Sequence, residues 1–389
     1  MTHKEKIKDL LTRGVTNVIE KKHLETSLKS SKKLRVKFGI DPTGPDVHIG
    51  HAVVLWKLRQ FQDLGHKVVL IIGDFTAQIG DPSDKEAERQ PLSADEIKKN
   101  LKGYLEQIGK IVDLKKVELK HNGEWHRKGT KQKMIEEAMN FTVNQMLKRD
   151  NFAKRLSEDK PVGLHEFLYP LLQGMDSVAI KADIELGGND QYFNLLAGRI
   201  LQKRYGQKEQ DILTVDLLEG TDGRKMSKSY NNAIYLLDEP SEKYGKIMSI
   251  KDELIEKYFL LATDLTTKEI GAVIKKGPRE AKGSLAFEIV KRYHGENVAN
   301  EAASDFEKKF IKKELPDEMP EIKIPYLIQS LADILVDAKM AVSKSEARRL
   351  IEQGGVRVDG ACIGEREAKI EPTRGMIIQV GKRKFLKVK

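Results

Sequence analysis

Two histidines three residues apart, His48 and His51, stand at the start of a predicted helix that follows a strand and a Gly/Pro turn. The strand is predicted from alternating apolar side chains, and the helix from a 3.6-residue apolar repeat that ends at Gly65. The first helical turn has unpaired N–H groups and the positive end of the helix dipole, which suit a polyphosphate. Gly50 lets a ligand approach the backbone, and both imidazoles can face the same bound group.

A second group of residues suited to phosphate chemistry lies far downstream, in Lys225-Met226-Ser227-Lys228-Ser229. Two lysines three apart in a loop of small residues can clamp the charge that develops on a leaving pyrophosphate. Each motif alone is weak evidence, because a capped helix or a solvated basic loop gives a similar pattern. In this order, the two motifs resemble the paired ATP motifs of the class I aminoacyl-tRNA synthetases.

The composition of the chain limits its class. Its 389 residues are enough for two or three domains with a large core. The formal net charge of +10 favours an acidic partner such as nucleic acid. The single cysteine, Cys362, excludes an intramolecular disulfide and a cysteine-based metal cage. With no apolar run that could span a bilayer and no signal-peptide core at the N-terminus, we expect a cytoplasmic protein without a membrane partner.

The sequence around the histidine motif predicts strands and helices that form a parallel α/β sheet. An apolar strand at 67–72 follows the histidine helix, and strand, crossover helix and strand form a βαβ unit. The polar loop at 73–89 holds Thr76 and the turn Gly80-Asp81-Pro82-Ser83, and it lies where open α/β sheets bind ligands. A second arrangement of strand, glycine-containing turn and helix is predicted around Gly187-Gly188-Asn189-Asp190-Gln191. The expected fold is a Rossmann-like α/β domain.

The predicted helix at 161–182 carries three polar side chains on one stripe, with Tyr169, Gln173 and Asp176 at i, i+4 and i+7. The rest of this helix is apolar nearly all round, which indicates burial and not a solvent-exposed stripe. Because buried polar groups need hydrogen-bond partners, we interpret the stripe as the wall of a polar pocket.

The remaining patterns divide the chain into regions. Amphipathic helices are expected at 4–29, and the last strand of the sheet at 212–218. The range at about 111–160 interrupts the alternation of strands and helices, so we interpret it as an insertion. The predicted order is a catalytic domain at 1–235 with this insertion, an α-helical domain at 236–314, a proline-containing linker at 315–325 and a small α+β domain at 326–389.

The predicted small domain holds thirteen Lys or Arg and eight Asp or Glu. Its net charge, 13 − 8 = +5, is half of the chain's net charge of +10. A basic helix at 343–351, the Gly354-Gly355 pair and a short strand at 356–358 resemble the S-four-type (alpha-L) RNA-binding domain. The alternative is a solvated basic helix, because charge clusters alone are unspecific. The resemblance implies tRNA contacts from Lys344, Arg348 and Arg349.

Beyond its first thirty residues, the whole chain resembles the bacterial tyrosyl-tRNA synthetases. The resemblance rests on the Tyr169, Gln173 and Asp176 spacing, on Gly-Asp-Pro-Ser at 80–83, on Gly-Gly-x-Asp-Gln at 187–191 and on the basic C-terminal domain. It implies that ATP activates tyrosine to tyrosyl-adenylate with release of pyrophosphate. The tyrosyl group then passes to the 3′-terminal ribose of tRNA(Tyr). It also implies Mg²⁺ carried by the ATP phosphates, no tightly bound cofactor or protein metal site, and a homodimer formed through the insertion.

The resemblance assigns roles to site residues by position. The phenol of the substrate tyrosine donates to Asp176, and the carboxyl group of tyrosine lies near Gln191. The ammonium group of tyrosine is surrounded by Thr76, Asp81, Tyr169 and Gln173. The ATP ribose lies near Gly188 and Asp190. The remaining ATP contacts come from Asp41, Thr43, His48, Gly50, His51, Lys225 and Lys228, of which Thr43, His48, His51 and the two lysines are the expected catalytic residues.

Three positions depart from the most familiar members of that family. Lys37 replaces a tyrosine that shares the phenol contact, Met175 replaces a second tyrosine, and Glu185 replaces a glutamine. Sequences of a second bacterial subtype also carry lysine at the first position. With these three replacements, Asp176 is the main residue expected to contact the substrate phenol.

Three other functions share part of this pattern. Tryptophanyl-tRNA synthetases have the same fold and ATP motifs, but they are not expected to combine this polar helix stripe with a basic C-terminal domain. A non-enzymatic RNA-binding descendant would be expected to have lost His48, Gly50, Lys225 or Lys228, and all four are present. A cytidylyl- or adenylyltransferase would not need the residues at 241–389.

Overall fold

The structure, a computed structural model, describes residues 2–81, 92–147, 149–227, 229–308, 319–324, 327–381 and 384–389. The chain divides into two compact units, 1–303 and 304–389. The helices that follow the sheet belong to the same unit as the sheet, so the domain boundary predicted at 235 does not separate two units. None of the helices in these described ranges is long and apolar enough to cross a membrane.

The first unit alternates strands and helices and then ends in helices. Its strands are β1 Val15–Ile19, β2 Arg35–Ile40, β3 Lys67–Ile72, β4 Glu118–His121, β5 Ile184–Gly188 and β6 Asp211–Val215. Its helices, the last of which crosses the unit boundary, are α1 His3–Thr12, α2 Lys21–Lys29, α3 Ile49–Asp63, α4 Ala94–Ile108, α5 Gly123–His126, α6 Lys131–Ala138, α7 Val143–Leu147, α8 Asp150–Ser157, α9 Tyr169–Ile180, α10 Tyr192–Arg204, α11 Pro240–Met248, α12 Ile255–Ala262, α13 Thr267–Ile274, α14 Pro278–His294 and α15 Glu296–Phe306.

Six strands form one sheet in the order β1-β6-β5-β2-β3-β4. β2 pairs in parallel with β3 along its whole length, and β5 and β6 continue the parallel sheet on the other side of β2. The strand order reverses between β2 and β5, and open α/β sheets bind ligands at the carboxyl ends of the strands at such a point. The predicted Rossmann-like parallel sheet is confirmed.

The core of this sheet explains the apolar runs in the sequence. Val68 to Ile72 of β3 are all buried, as expected for a parallel strand that is covered on both faces. Helix α3 buries Leu55, Leu58 and Phe61. The helix stops before Gly65, whose φ of +87° is in the left-handed region that favours glycine, as the sequence predicts.

The N-terminal prediction is wrong in part. Helices α1 and α2 fall in the predicted range at 4–29, but Val15–Ile19 between them forms strand β1, which is antiparallel to β6. A five-residue apolar run cannot be assigned to helix or strand from its periodicity. Gly14, with a φ of +62°, turns the chain out of α1 and separates the strand from that helix.

Strand β4 limits where the predicted insertion at about 111–160 can begin. β4 pairs in parallel with β3 at the edge of the main sheet, so the sheet extends into that range. Helices α5 to α8 follow in the same range. The part that lies outside the sheet therefore starts after His121.

The second unit is a small α+β domain with a core of its own. Its strands are β7 Glu321–Ile322, β8 Gln329–Ser330, β9 Val356–Val358, β10 Ala361–Ile363, β11 Lys369–Ile370, β12 Ile377–Val380 and β13 Lys384–Val388, and its helices are α16 Leu331–Asp337 and α17 Lys344–Glu352. Five strands form a sheet in the order β10-β9-β12-β13-β7. Leu331, Leu335, Ile351 and Ile378 are fully buried.

The linker predicted at 315–325 overlaps this small domain. Strand β7 lies inside that range and pairs in parallel with β13, so residues 321 and 322 belong to the sheet of the second unit.

Candidate active site

A cavity of about 420 Å³ opens at the carboxyl ends of β2 and β5, where the strand order reverses. Its walls come from the segment after β2, the loop after β3, helix α9, the turn after β5 and the lysine loop. The predicted site residues that line it are Asp41, Thr43, His48, Gly50, His51, Thr76, Asp81, Tyr169, Gln173, Asp176, Gly188, Asp190, Gln191 and Lys225. Lys228 lies outside the described residues, as do Pro82 and Ser83.

One end of the cavity holds the two histidines. His48 is the N-cap of α3, and its Nδ1 accepts the backbone N–H of His51 at 3.3 Å. The two rings are stacked, with centroids 3.6 Å apart. Burial, the nearby His51 and the Lys225 ammonium lower the pKa of His48 well below its ordinary value. The neutral ring therefore carries its proton on Nε2, which can donate a hydrogen bond to a ligand.

Gly50 is required by the close packing around His48. A Cβ atom at this position would lie 3.0 Å from Nδ1 of His48 and 3.4 Å from the carbonyl oxygen of Leu218. Any side chain here would therefore move the His48 ring.

Helix α4 holds the segment that carries Thr43 and His48, a role that the sequence did not indicate. The buried amide of Gln107 accepts the backbone N–H of Val47 at 2.9 Å and donates to the Pro45 carbonyl at 2.8 Å. These bonds fix the chain between β2 and α3.

Two further α4 side chains reach the same region. The amide of Asn100 donates to the Pro42 carbonyl at 3.1 Å, and the Tyr104 hydroxyl lies 3.5 Å from Nδ1 of His51. Helix α4 therefore supports both the turn and the second histidine.

The lysine loop is organised by one buried side chain, Asn232. Its oxygen accepts the backbone N–H of Ser227 at 2.9 Å, and its amide donates to the Lys225 carbonyl at 3.0 Å and to Asp222 at 2.7 Å. Lys225 reaches Asp190, with Nζ 3.2 Å from a carboxylate oxygen. The loop is thereby held against the turn after β5.

The other end of the cavity is built around Asp41. Its carboxylate accepts the Thr76 hydroxyl at 2.7 Å and the Tyr169 hydroxyl at 3.0 Å. Burial and the charges of Asp41 and Asp81 raise the pKa of Tyr169 well above its ordinary value, so the phenol stays neutral. The resemblance had assigned Asp41 to ATP, but these hydrogen bonds group it with the residues expected around the ammonium group.

Asp81 and Gln191 meet at the same end, because the Gln191 amide donates to Asp81 at 2.7 Å. The loop after β3 and the turn after β5 are thus joined across the cavity. Both side chains line it, as predicted.

Asp176 is buried and accepts hydrogen bonds from three side chains that the sequence reasoning missed. Trp125 Nε1 and His126 Nε2 both lie near Oδ1, at 2.9 and 2.8 Å. Asn122 Nδ2 lies 3.4 Å from Oδ2. Oδ2 therefore keeps room for a further donor from the cavity.

A signal for these three residues was present in the sequence. Asn122, Trp125 and His126 directly follow β4, at the carboxyl end of a parallel strand, where such sheets carry their functional groups. The range that contains this strand was interpreted as an insertion, so the signal was not used.

Two of the departures from the family pattern contact each other. Lys37 and Glu185 form an ion pair at 2.8 Å, and both side chains are buried. Lys37 also donates to the Ser177 hydroxyl and to the Gln173 carbonyl, so all three of its N–H bonds are used without a substrate. The third departure, Met175, packs with apolar side chains of its surroundings.

The predicted tRNA-binding residues lie in the second unit, on α17. Lys344 pairs with Asp333 at 2.9 Å and Arg348 with Glu367 at 2.9 Å, whereas Arg349 is exposed. Ser343 caps this helix by accepting the N–H of Glu346.

Comparison with known proteins gives the same assignment for both units. The model of the family described as tRNA synthetases class I (W and Y) matches residues 29–311, and the S4 domain model matches residues 329–371. Two tyrosine–tRNA ligases match the whole chain: that of Thermotoga maritima is 50% identical and covered to 98% of its length, and that of Aquifex aeolicus is 45% identical and covered to 99%.

Two solved structures show the same fold. A C-terminally truncated mitochondrial tyrosyl-tRNA synthetase of Aspergillus nidulans is 22% identical with a TM-score of 0.63, over 78% of this chain and 94% of that one. The tyrosyl-tRNA synthetase of Archaeoglobus fulgidus complexed with L-tyrosine is 20% identical with a TM-score of 0.61, over 78% and 100%. With the geometry of the cavity and the full-length sequence identity, this chain belongs to the class I tRNA synthetases of the tryptophan and tyrosine group and, within it, to the tyrosine–tRNA ligases.

Proposed function

We propose that this chain activates tyrosine with ATP and transfers the tyrosyl group to the 3′-terminal ribose of tRNA(Tyr). The observation that carries the proposal is the division of one cavity into two ends. His48 and Lys225 at one end suit a polyphosphate, and Asp41, Tyr169 and Asp176 at the other suit an ammonium group and a phenol. The two substrates would meet between these ends.

The first step joins the tyrosine carboxylate to the α-phosphorus of ATP. A carboxylate oxygen forms a bond to the phosphorus as the bond to the pyrophosphate oxygen breaks, so the enzyme has to align the two and stabilise the leaving charge. His48 donates from Nε2, Thr43 from its hydroxyl and Lys225 from its ammonium group. We assign the same role to His51 and Lys228. Mg²⁺ enters with the ATP, bound by its phosphate oxygens.

The ammonium group of tyrosine is proposed to bind near Asp41. Carboxylate oxygens accept hydrogen bonds from an ammonium group, and this carboxylate lies in the cavity together with the Thr76 and Tyr169 hydroxyls. Thr76, Asp81, Tyr169 and Gln173 complete this site. Gln191 is placed near the tyrosine carboxyl group, and Gly188, Asp190 and Gly50 near the nucleotide.

The phenol of tyrosine is proposed to donate to Oδ2 of Asp176. Trp125 and His126 hold the other carboxylate oxygen, so the group is fixed before the substrate arrives. A pre-oriented acceptor at this depth favours a substrate with a hydroxyl group over one without it.

The second unit is proposed to bind tRNA through phosphate contacts of Lys344, Arg348 and Arg349. Ion pairs of the first two with exposed carboxylates are weak and can be exchanged for phosphate. We place the enzyme in the cytoplasm, where tRNA is aminoacylated.

We also propose a homodimer that forms through the helices after β4. Ile135, Met139 and Val143 are large apolar side chains exposed by 61, 79 and 69%. Large exposed apolar side chains that lie close together in the chain suit a subunit interface. Met139→Glu with Val143→Glu should yield monomers in sedimentation at micromolar concentration. Leu327→Glu, at a residue exposed by 68% in the second unit, is the matched control.

The experiment that tests the activity is ATP–pyrophosphate exchange with different amino acids. We expect exchange with tyrosine, almost none with phenylalanine and none with tryptophan. Lys225→Ala should lower the tyrosine rate by roughly 10²–10³ if this lysine acts on the transition state. Exchange with tryptophan, or wild-type exchange by the variant, would contradict the proposal.

A further inference from the structure

Lys37 and Glu185 form a buried ion pair on neighbouring strands. They are direct partners in the parallel ladder between β2 and β5, and neither side chain is exposed by more than 1%. Removing two charges from water is unfavourable unless their polar atoms all find partners. The contacts of this pair therefore indicate what it holds in place.

The pair is fully hydrogen-bonded, and helix α9 supplies most of its partners. Nζ of Lys37 donates to Glu185, to the Ser177 hydroxyl at 2.8 Å and to the Gln173 carbonyl at 2.7 Å. Glu185 accepts the Gln173 amide at 3.2 Å, the Ser177 hydroxyl at 3.0 Å and the Gln210 amide. Lys37 thus holds the backbone of Gln173, and Glu185 holds its side chain.

The hydrogen bond from Gln173 to Glu185 determines which end of the Gln173 amide faces the cavity. Its nitrogen points to the carboxylate, so its oxygen is the atom left for the cavity that Gln173 lines. An ammonium group can donate to an amide oxygen, whereas an amide nitrogen offers it no acceptor.

We propose that the Lys37–Glu185 pair is a positioning element of the amino-acid site. It fixes Gln173 so that its side-chain oxygen accepts a hydrogen bond from the ammonium group of tyrosine. The inference rests on the proposed function, because it requires Gln173 to bind that group. Lys37 and Glu185 themselves do not contact the substrate.

The test removes both charges together, so that no unpaired charge stays buried. Lys37→Met/Glu185→Leu takes away the acceptor for the Gln173 amide, whereas Lys37→Met/Glu185→Gln keeps a carbonyl oxygen there. In ATP–pyrophosphate exchange, the first variant should raise the KM for tyrosine about tenfold, the lower end of the range for a hydrogen bond to a charged group. The KM for ATP should stay unchanged, and the second variant should recover part of the loss.

A double-mutant cycle with Gln173→Ala shows whether the pair acts through Gln173. Once Gln173 is removed, Lys37→Met/Glu185→Leu should have no further effect on the KM for tyrosine. Effects that multiply would overturn the inference, as would an unchanged KM in the charge-removed variant alone. If Gln173→Ala itself leaves the KM for tyrosine unchanged, the proposed role of Gln173 fails instead.

A matched control is available on the same strand. Arg35 pairs with Glu118 at 3.0 Å, at the end of β2 away from the cavity. Arg35→Met/Glu118→Leu should leave the KM for tyrosine unchanged, and an equal rise there would overturn the inference. Should Lys37→Met/Glu185→Leu fail to fold, Lys37→Met/Glu185→Gln gives a milder test, because it also leaves no unpaired charge buried and keeps a polar side chain at position 185. Its amide can also donate to Gln173, so the KM for tyrosine should still rise, and an unchanged value would overturn the inference.

Discussion

At the residue scale, we propose that the choice of amino acid depends on one oxygen of Asp176. Trp125 and His126 lie against Oδ1, whereas Oδ2, 3.4 Å from the Asn122 amide nitrogen, is the oxygen proposed to accept the phenol. A site that hydrogen-bonds a substrate hydroxyl strongly rejects the analogue without it, a behaviour for which tyrosyl-tRNA synthetases are themselves the standard example. Lys37 cannot take over this role, because its three N–H bonds are already used.

Asp176→Ala should therefore narrow the preference for tyrosine over phenylalanine by at least about tenfold, or 1.4 kcal/mol. The measurement is kcat/KM for pyrophosphate exchange with each amino acid, and the KM for ATP is the internal control. A preference that stays at the wild-type value would show that another group binds the phenol.

The protonation state of His48 gives a second prediction at this scale. Because its pKa is lowered, the ring should stay neutral with its proton on Nε2 at pH 6.5, where an ordinary histidine is half protonated. Below that pH the unfolded chain binds the proton and the folded chain does not, so His48 lowers the free energy of unfolding as the pH falls. Nitrogen NMR of the histidine rings, with His48→Ala for assignment, checks this. A titration midpoint near 6.5 would contradict it.

At the element scale, the end of the cavity that is proposed to bind ATP depends on helix α4. Gln107→Leu keeps the side chain's volume but leaves the Val47 N–H and the Pro45 carbonyl without their partner. A buried polar group without a partner costs about 1–3 kcal/mol, so the segment that carries Thr43 and His48 should loosen. We expect kcat for exchange to fall about tenfold while the KM for tyrosine changes little.

Gln62→Leu is the matched control for this variant. Gln62 makes the same kind of double contact, with the N–H and the carbonyl of Asp113, but it does not line the cavity. If both variants lowered kcat equally, the effect of Gln107 would be one of general stability.

The same scale shows what the sequence could predict. The alternating apolar side chains predict β2, and the 3.6-residue apolar repeat that ends at Gly65 predicts α3. The continuous apolar run predicts β3. Strand β1 was missed because five residues carry no reliable period. The Lys37–Glu185 pair was missed because it depends on which strands become neighbours, and a single sequence does not contain that register. The partners of Asp176 were missed because the range that contains β4 was interpreted as an insertion.

At the scale of the whole molecule, we propose that the two units bind different substrates. The first unit holds the cavity, and the second carries basic helix α17 on a separate core. A protein that binds tRNA phosphates with several cations loses affinity steeply with salt. We expect the activation of tyrosine in the cavity not to depend on those cations.

Deletion of residues 319–389 should therefore separate the two steps. The truncation starts before β7 because this strand belongs to the sheet of the second unit, and a cut at 326 would leave it without its partner. Pyrophosphate exchange should stay near the full-length value, while the KM for tRNA rises and its salt dependence becomes flatter. In the full-length chain, replacing Lys344, Arg348 and Arg349 by alanine should lower the slope of log KM against log salt by about one for each phosphate that the protein no longer neutralises. An unchanged KM for tRNA in both variants would show that the second unit serves another purpose.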